Sequence, residues 1–169
     1  MSKYIIYKGC HFSTFVPKLI GCKQEDFAIN KTVLFEDNCK YSIDEPSCVN
    51  KLYGVSFGLF NVHKQSVRFG WSYDGDKDAI QLWSYIYKDN VKKVHKNKLC
   101  YIPINRQVSC GIEFMCTDDG KYIVSFVVDG VLQYQEVLSF TGKPRLTLGP
   151  YFGGNTKAPH KMAIHLTNN

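Results

Sequence analysis

The sequence has no long apolar run, which excludes a membrane-spanning helix at the outset. No stretch approaches the roughly 18 apolar residues that such a helix needs. The opening residues, from Met1 to Gly9, contain neither the apolar region nor the cleavage site of a secretion signal. We therefore expect a cytoplasmic protein with no membrane partner. The length fits a single domain over residues 1–169.

Metal-binding and disulfide patterns are also missing. The 7 cysteines include no Cys-x-x-Cys pair, and their odd number does not suit a disulfide framework. The 5 histidines are scattered; His160 and His165 are the nearest pair, and no carboxylate is placed beside them. No glycine-rich phosphate loop precedes a helix. We expect no metal, no cofactor and no catalytic constellation.

The charge bias is mild, at a net +6 from 21 Lys+Arg against 15 Asp+Glu. The basic residues cluster only weakly, between Lys88 and Lys98, so the pattern does not favour a nucleic-acid partner. That stretch is either an edge strand protected by its lysines or a rim that attracts anions.

What the sequence does contain is β-strand signal. No window of 12 residues shows a convincing helical period, and aromatic residues, common in strands, reach 14%. The predicted strands are Lys3–Lys8, Phe27–Phe35, Leu52–Phe60, Ser66–Tyr73, Ile80–Tyr87, Leu99–Ile104, Val108–Cys116, Lys121–Val128, Val131–Val137, Arg145–Leu148 and Met162–Leu166. Val16–Asp26 is predicted as a loop or a short helix.

Three Asp-Gly pairs, at Asp74, Asp119 and Asp129, predict turns in which the glycine takes a positive φ. Many short strands at this spacing predict an all-β fold. The expected architecture is a two-sheet antiparallel β-sandwich of the jelly-roll (concanavalin-like) type.

Alternation within three consecutive strands predicts which face is buried, because successive side chains point to opposite sides of a sheet. The predicted core sets are Tyr53, Val55, Phe57 and Leu59; Val67, Phe69 and Trp71; Ile80, Leu82 and Ile86. The opposite face then carries Arg68, Gln81, Trp83, Tyr85 and Tyr87 beside a glycine-floored strip from Gly54 to Gly58 that includes Ser56. Such a face suits a flat anionic ligand, with Arg68 pairing its charge. Alternatively, the first 50 residues cover it.

The segment from Leu148 to His160 concentrates glycine, proline and two aromatic residues between strands. It either brings backbone close to a ligand or forms a structural Ω-loop. In the first case Tyr151 would stack on the ligand, and His63, Asn155 and His160 would add hydrogen bonds.

Motifs at Asn50–Gly58, His63–Trp71, Gly149–Asn155 and Ala158–His160 resemble a family of small, uncharacterised bacterial and phage β-sandwich proteins, over roughly residues 5–167. The strand pattern and Tyr151-Phe152-Gly153 also resemble concanavalin-like jelly rolls, including polysaccharide lyases. The chain departs from the lyases' arginine strand and Gln-x-His strand, since Ser66–Phe69 holds one arginine.

Two motifs are more readily explained by structure than by catalysis. Gly54-Val55-Ser56-Phe57-Gly58 fits the G-x-S-x-G elbow of hydrolases, but the alternation continues through it and no helix follows. His11-Phe12-Ser13 and His165-Leu166-Thr167 resemble the paired triplets of phosphoesterases, and chance supplies such triplets easily.

The expected function is therefore non-catalytic binding of a small anionic ligand, a nucleotide-type signal or an acidic oligosaccharide. The phage resemblance implies a specific version, a sponge that sequesters a host immune nucleotide. The alternatives are a polysaccharide lyase or other carbohydrate-active enzyme with Tyr or His as base near Arg68, and a structural or protein-interaction domain. The oligomeric state is left open, with a homo-oligomer among the options.

Overall fold

The computed structural model of the chain describes residues 1–21, 25–42, 49–59, 61–88, 94–140 and 142–169. These residues form eleven β-strands and one short 3₁₀ helix, Asp37–Cys39. No helix among them is long and apolar enough to cross a membrane.

The strands form two antiparallel sheets. Their bounds are β1 (Ser2–Ile6), β2 (Phe27–Phe35), β3 (Asn50–Ser56), β4 (Ser66–Asp74), β5 (Ala79–Tyr87), β6 (Val94–Pro103), β7 (Val108–Cys116), β8 (Tyr122–Val128), β9 (Val131–Leu138), β10 (Leu146–Leu148) and β11 (Met162–Asn168). One sheet has the order β1-β11-β2-β7-β8-β9, and the other β10-β3-β4-β5-β6. The prediction of an all-β, two-sheet antiparallel sandwich is confirmed.

Most predicted strands lie within a few residues of the observed ones, with one departure near the site. The strand predicted as Leu52–Phe60 ends at Ser56, and Phe60 lies outside the described residues. Residues 22–24 of the predicted loop or helix also lie outside them. The described part of that segment is not helical and bridges β10 through Leu19 and Leu146.

The two sheets bury one shared core. Phe69 of β4 meets Phe126 of β8 edge to face, with ring centroids 5.1 Å apart, and both rings are fully buried. The predicted core sets of β3, β4 and β5 are buried except Leu59, which is 43% exposed. Leu59 follows the end of β3, so strand alternation no longer directs its side chain.

The predicted turns are confirmed at two of the three Asp-Gly pairs. Asp129 and Gly130 have φ of 47° and 79°, as a two-residue hairpin turn requires, and Gly120 has φ of 76°. At Asp74-Gly75 the prediction is wrong, because the left-handed residue is Asp78, with φ of 45°. The Asp74 carboxylate accepts the backbone N–H groups of Asp76 and Lys77 and thereby supports a longer turn.

A bulge in β3 decides which side chains reach the face of the five-stranded sheet. Lys51 pairs with Gly70 and Gly54 pairs with Arg68, so β3 has one more residue than β4 between these pairs. The two residues between them, Leu52 and Tyr53, are both fully buried. Lys51 therefore shares a face with Gly54 and Arg68, which simple alternation does not allow.

Gly54 permits a close approach of β3 and β4 that no larger residue allows. A Cβ at this position would lie 2.0 Å from Val67 O and 2.6 Å from Arg68 Cα. We expect Gly54→Ala to lower the free energy of unfolding by about 2–4 kcal/mol, measured by urea denaturation.

Gly75→Ala is the matched control, since its Cβ would meet only Tyr73 Cε1 at 3.9 Å. We expect this variant to stay within about 0.5 kcal/mol of wild type. Equal stability of the two variants would contradict the close approach at Gly54.

Candidate functional site

Three neighbouring strands direct cationic and phenolic side chains to the outer face of the five-stranded sheet. Arg68 of β4 lies between Gly54 of β3 and Tyr85 of β5 in register. Lys51 enters the same face through the bulge, and Tyr87 follows Tyr85 on the same side of β5.

A pocket of about 350 Å³ opens on this face. Its walls come from the N-terminal segment, the β3–β4 connection, and β10 with the loop after it. The described lining is Phe12, Ser13, Phe15, Pro17, Lys51, Val62, His63, Arg68, Leu146, Leu148, Gly149, Pro150 and Tyr151. The N-terminal segment thus forms a side wall, so the expected covering of this face by the first 50 residues is partial.

Arg68 is a buried cation of this pocket. Arg68 is only 6% exposed, and no carboxylate of the described chain forms an ion pair with its guanidinium group. Arg68 Nε has no hydrogen-bond partner there either. Burial lowers the pKa of Arg68 to about 10, opposed by the nearby phenols of Tyr85, Tyr87 and Tyr151. An anion entering the pocket would supply the missing charge.

Lys51 places a second cation beside Arg68, and the sequence-based prediction missed it. Lys51 Nζ donates a 2.9 Å hydrogen bond to Gly153 O. It lies 4.6 Å from the ring centroid of Tyr151 and 5.3 Å from that of Tyr85. Backbone hydrogen bonds of 2.9 Å in both directions join Lys51 to Tyr151 and fix the loop after β10 to β3.

Two tyrosines behind the pocket lining, Tyr85 and Tyr87, contact each other and His63. The hydroxyl oxygens of Tyr85 and Tyr87 are 3.5 Å apart, and the His63 ring meets Tyr87 edge to face. Burial raises the pKa of Tyr151; Arg68 opposes the shift and Tyr87 adds to it. Tyr151 therefore stays a protonated phenol at neutral pH and is able to donate a proton.

The structure brings five of the ten sequence-predicted site residues together: Arg68, Tyr85, Tyr87, His63 and Tyr151. Trp83 lies on the same face, two residues before Tyr85 in β5. Lys98 Nζ is 5.6 Å from the Trp83 ring, and Trp83 Nε1 donates a hydrogen bond to Ser72 Oγ. Since Lys98 and Lys96 pair with Trp83 and Tyr85, the lysine-bearing edge strand β6 borders this face.

The other predicted site residues have structural partners or lie apart. Gln81 donates its amide to Leu82 O and Cys100 O, and Ser56 Oγ is bound to the Gly58 backbone beyond the end of β3. His160 Nε2 is 2.9 Å from Asn38 O beside the 3₁₀ helix, and Asn155 is exposed in the loop. None of these four lines the described pocket.

The two histidine triplets do not form a joint site. His11 Nδ1 lies 2.9 Å from Phe152 O and its ring stacks on Tyr151. His165 is instead 2.5 Å from Glu36 Oε1, on the six-stranded sheet. The described residues contain no group of three or more His, Cys, Asp or Glu side chains that could hold a metal ion.

Alginate lyases are among the solved structures that resemble this chain in fold. A variant of alginate lyase Aly36B in complex with alginate tetrasaccharide superposes with a TM-score of 0.70 at 12% identity, over 98% of this chain and 78% of that one. The PL-14 alginate lyase from Aplysia kurodai gives 0.60 at 16% identity, over 98% and 80%. Alginate lyase AlyC3 in complex with dimannuronate gives 0.64 at 11%, over 97% and 71%. No family model matches the sequence, and no curated protein matches it either.

These comparisons correct two expectations. The resemblance to uncharacterised bacterial and phage proteins finds no support, whereas the resemblance to lyase jelly rolls is confirmed for the fold. The expectation of non-catalytic binding, including the nucleotide sponge, is wrong, because the structural neighbours are alginate lyases.

Proposed function

We propose that the protein is a polysaccharide lyase that cleaves a uronate-containing polymer by β-elimination. The observation that carries the proposal is the buried Arg68, which forms no ion pair within the described part of the chain, beside Lys51 in a pocket that the phenol of Tyr151 also lines. Structural neighbours that hold alginate trisaccharide and tetrasaccharide support an acidic sugar as the ligand.

Elimination makes three demands that these residues are able to meet. The proton on C5 of the uronate is lost, so negative charge builds up on the adjacent carboxylate, and Arg68 is placed to stabilise it. Lys51, a cation at rest, first gives up a proton to solvent, and its free amine then accepts the C5 proton. The C4–O bond then breaks, a C4=C5 double bond forms, and a phenol gives its proton to the departing O4 oxygen.

Two phenols are in position to act as that proton donor. The rings of Tyr85 and Tyr151 both contact Lys51 Nζ. We expect the Phe variant of the true donor to lose about 10²–10⁴-fold in kcat. The other variant should lose less than about 10-fold, since it keeps the ring that shapes the pocket. Comparing kcat of Tyr85→Phe and Tyr151→Phe identifies the donor; wild-type kcat in both would contradict a phenolic donor.

A polymer substrate also explains the neighbouring surface. Trp83 offers a ring on which a sugar can stack, and Lys98 and Lys96 add positive charge beside it. Further uronates of the chain would cross the strands in this direction, from the pocket toward β6.

The direct test is incubation of the purified protein with polymannuronate, polyguluronate and other uronate polymers. Elimination creates a conjugated double bond, so ultraviolet absorbance should rise with time on at least one polymer. The Arg68→Met variant provides the matched blank. If no polymer gives a rise above that blank, the proposed function is wrong.

A further inference from the structure

The Tyr151 phenol lines the pocket, but no hydrogen bond fixes its direction. Tyr85, the other candidate donor, is only 5% exposed and is not part of the described lining. No hydrogen bond joins the Tyr151 hydroxyl to the described part of the chain. The hydroxyl is therefore available to a substrate, and the direction in which it points depends on how the ring is packed.

Three neighbours pack against the Tyr151 ring. The imidazole of His11 stacks on it, with the ring centroids 5.3 Å apart and the planes 11° apart. The ring of Phe12 meets it edge to face at 5.0 Å, and Lys51 Nζ lies 4.6 Å from its centroid. Of the three, His11 presents a ring parallel to the phenol, so it blocks rotation of the phenol out of its plane.

His11 is itself held in place by the residue that follows Tyr151. Its Nδ1 lies 2.9 Å from Phe152 O, and since a carbonyl oxygen only accepts, Nδ1 carries the proton and donates it. The backbone adds a second bond, from Phe152 N to His11 O at 2.8 Å. Ala158 N continues the contact by donating to Cys10 O at 3.0 Å. The imidazole therefore packs on the phenol from a fixed place and in a fixed plane.

We propose that His11 is a positioning residue of the lyase, whose imidazole holds the Tyr151 phenol in the direction from which its hydroxyl protonates the departing O4 oxygen. The inference rests on the proposed lyase function with Tyr151 as the proton donor. His11 exchanges no proton with the substrate and acts only through Tyr151. A phenol that loses this stack samples other directions, so it delivers its proton less often while Arg68 still binds the carboxylate.

The test measures kcat and KM of three His11 variants by double-bond formation. His11→Ala removes both the stack and the side-chain hydrogen bond, and we expect kcat to fall about 10- to 100-fold with KM changed less than about threefold. His11→Asn keeps an amide that can donate to Phe152 O but lacks the ring, so its kcat should fall nearly as far. His11→Phe keeps the stack and loses the bond, so it should recover most of the kcat that His11→Ala loses.

A double-mutant cycle separates positioning from a merely structural role. His11→Ala should reduce kcat no further in a Tyr151→Phe protein, which has no phenolic proton to direct. These slow variants are compared at high enzyme concentration. His160→Ala is the matched control, because His160 Nε2 lies 2.9 Å from a backbone oxygen, Asn38 O, outside the described pocket lining. We expect this control to keep wild-type kcat.

The possible results separate the two proposals. Wild-type kcat in His11→Ala and His11→Asn overturns the positioning role and leaves the lyase function standing. The role is also overturned if His11→Phe is as slow as His11→Ala, if the losses of His11→Ala and Tyr151→Phe add up in the double variant, or if Tyr151→Phe keeps wild-type kcat. No double-bond formation by the wild-type protein on any uronate polymer overturns both proposals.

Discussion

Arg68→Met is expected to abolish most of the lyase activity while making the protein more stable. The guanidinium stabilises charge on the substrate carboxylate, and removing one such group from a catalytic site typically costs about 10²–10³-fold in rate. Stability should move the other way, because a buried cation without a counter-ion carries a desolvation cost that methionine does not. Rate is measured by double-bond formation, and stability by thermal and urea unfolding.

The sign and the pH range of the stability gain follow from the pKa. Arg68 has a pKa of about 10 in the folded state against 12.5 as its ordinary value. Below pH 10 both states are protonated, so the folded state carries the whole cost, on the order of 3 kcal/mol. Above that pH the guanidinium of Arg68 loses its proton in the folded state first, and the stability advantage of Arg68→Met over wild type shrinks.

Arg68→Lys is the matched comparison, since it keeps a positive charge but loses the fork that binds a carboxylate. We expect partial activity and no large gain in stability. An Arg68→Met protein that unfolds markedly more easily than wild type would show that Arg68 has a counter-charge after all.

Lys51→Met is expected to lower kcat by about 10²–10⁴-fold with a much smaller change in KM. Lys51 is proposed to take the C5 proton, whereas Arg68 continues to bind the carboxylate. Methionine fills a similar volume, so the pocket keeps its shape. The lost hydrogen bond to Gly153 O should cost about 1 kcal/mol of stability. Steady-state kinetics on the best polymer give both parameters.

Lys40→Met serves as its control. Lys40 Nζ forms an exposed ion pair with Asp78 at 2.8 Å, remote from the pocket lining. We expect wild-type kcat and almost unchanged stability, because exposed ion pairs contribute little. If Lys51→Met also retains wild-type kcat, Lys51 is not the proton acceptor.

The fold was predictable from the sequence because strand alternation and turn residues are local signals. The core faces of β4 and β5 were predicted residue by residue, and the same alternation placed Arg68, Tyr85 and Tyr87 on one surface. Asp129-Gly130 marked its hairpin for the same reason, since the turn type depends on two adjacent residues.

Lys51 was missed because a bulge is a property of two strands rather than of one. The predicted strand began at Leu52 and left Lys51 out, and the extra residue in β3 places Lys51 on the face of Arg68. Gly54 was a usable signal, because a glycine inside a strand often marks a bulge or a close approach. The apolar lining of the pocket was missed for a related reason, since Phe12, Phe15 and Leu148 are brought to it only by tertiary structure.

Gln81 and Ser56 were predicted as site residues, but their polar groups bond to nearby backbone. Both lie on strands that form the face, but the sequence does not show that their polar groups bond to nearby backbone. His160 and Asn155 were grouped with Tyr151 because they share one loop. The loop turns between them, so that Tyr151 lines the pocket and His160 reaches Asn38.

Cytoplasmic location remains a prediction.

The most direct test of the central claim is mass spectrometry of the products formed from a uronate polymer in water enriched in heavy oxygen. Elimination breaks the C4–O bond without consuming water. We therefore expect the wild-type protein, and not Arg68→Met, to form unsaturated oligouronates with no heavy oxygen incorporated by the cleavage. Saturated products that carry one heavy oxygen per cut, or no products from any uronate polymer, would contradict it.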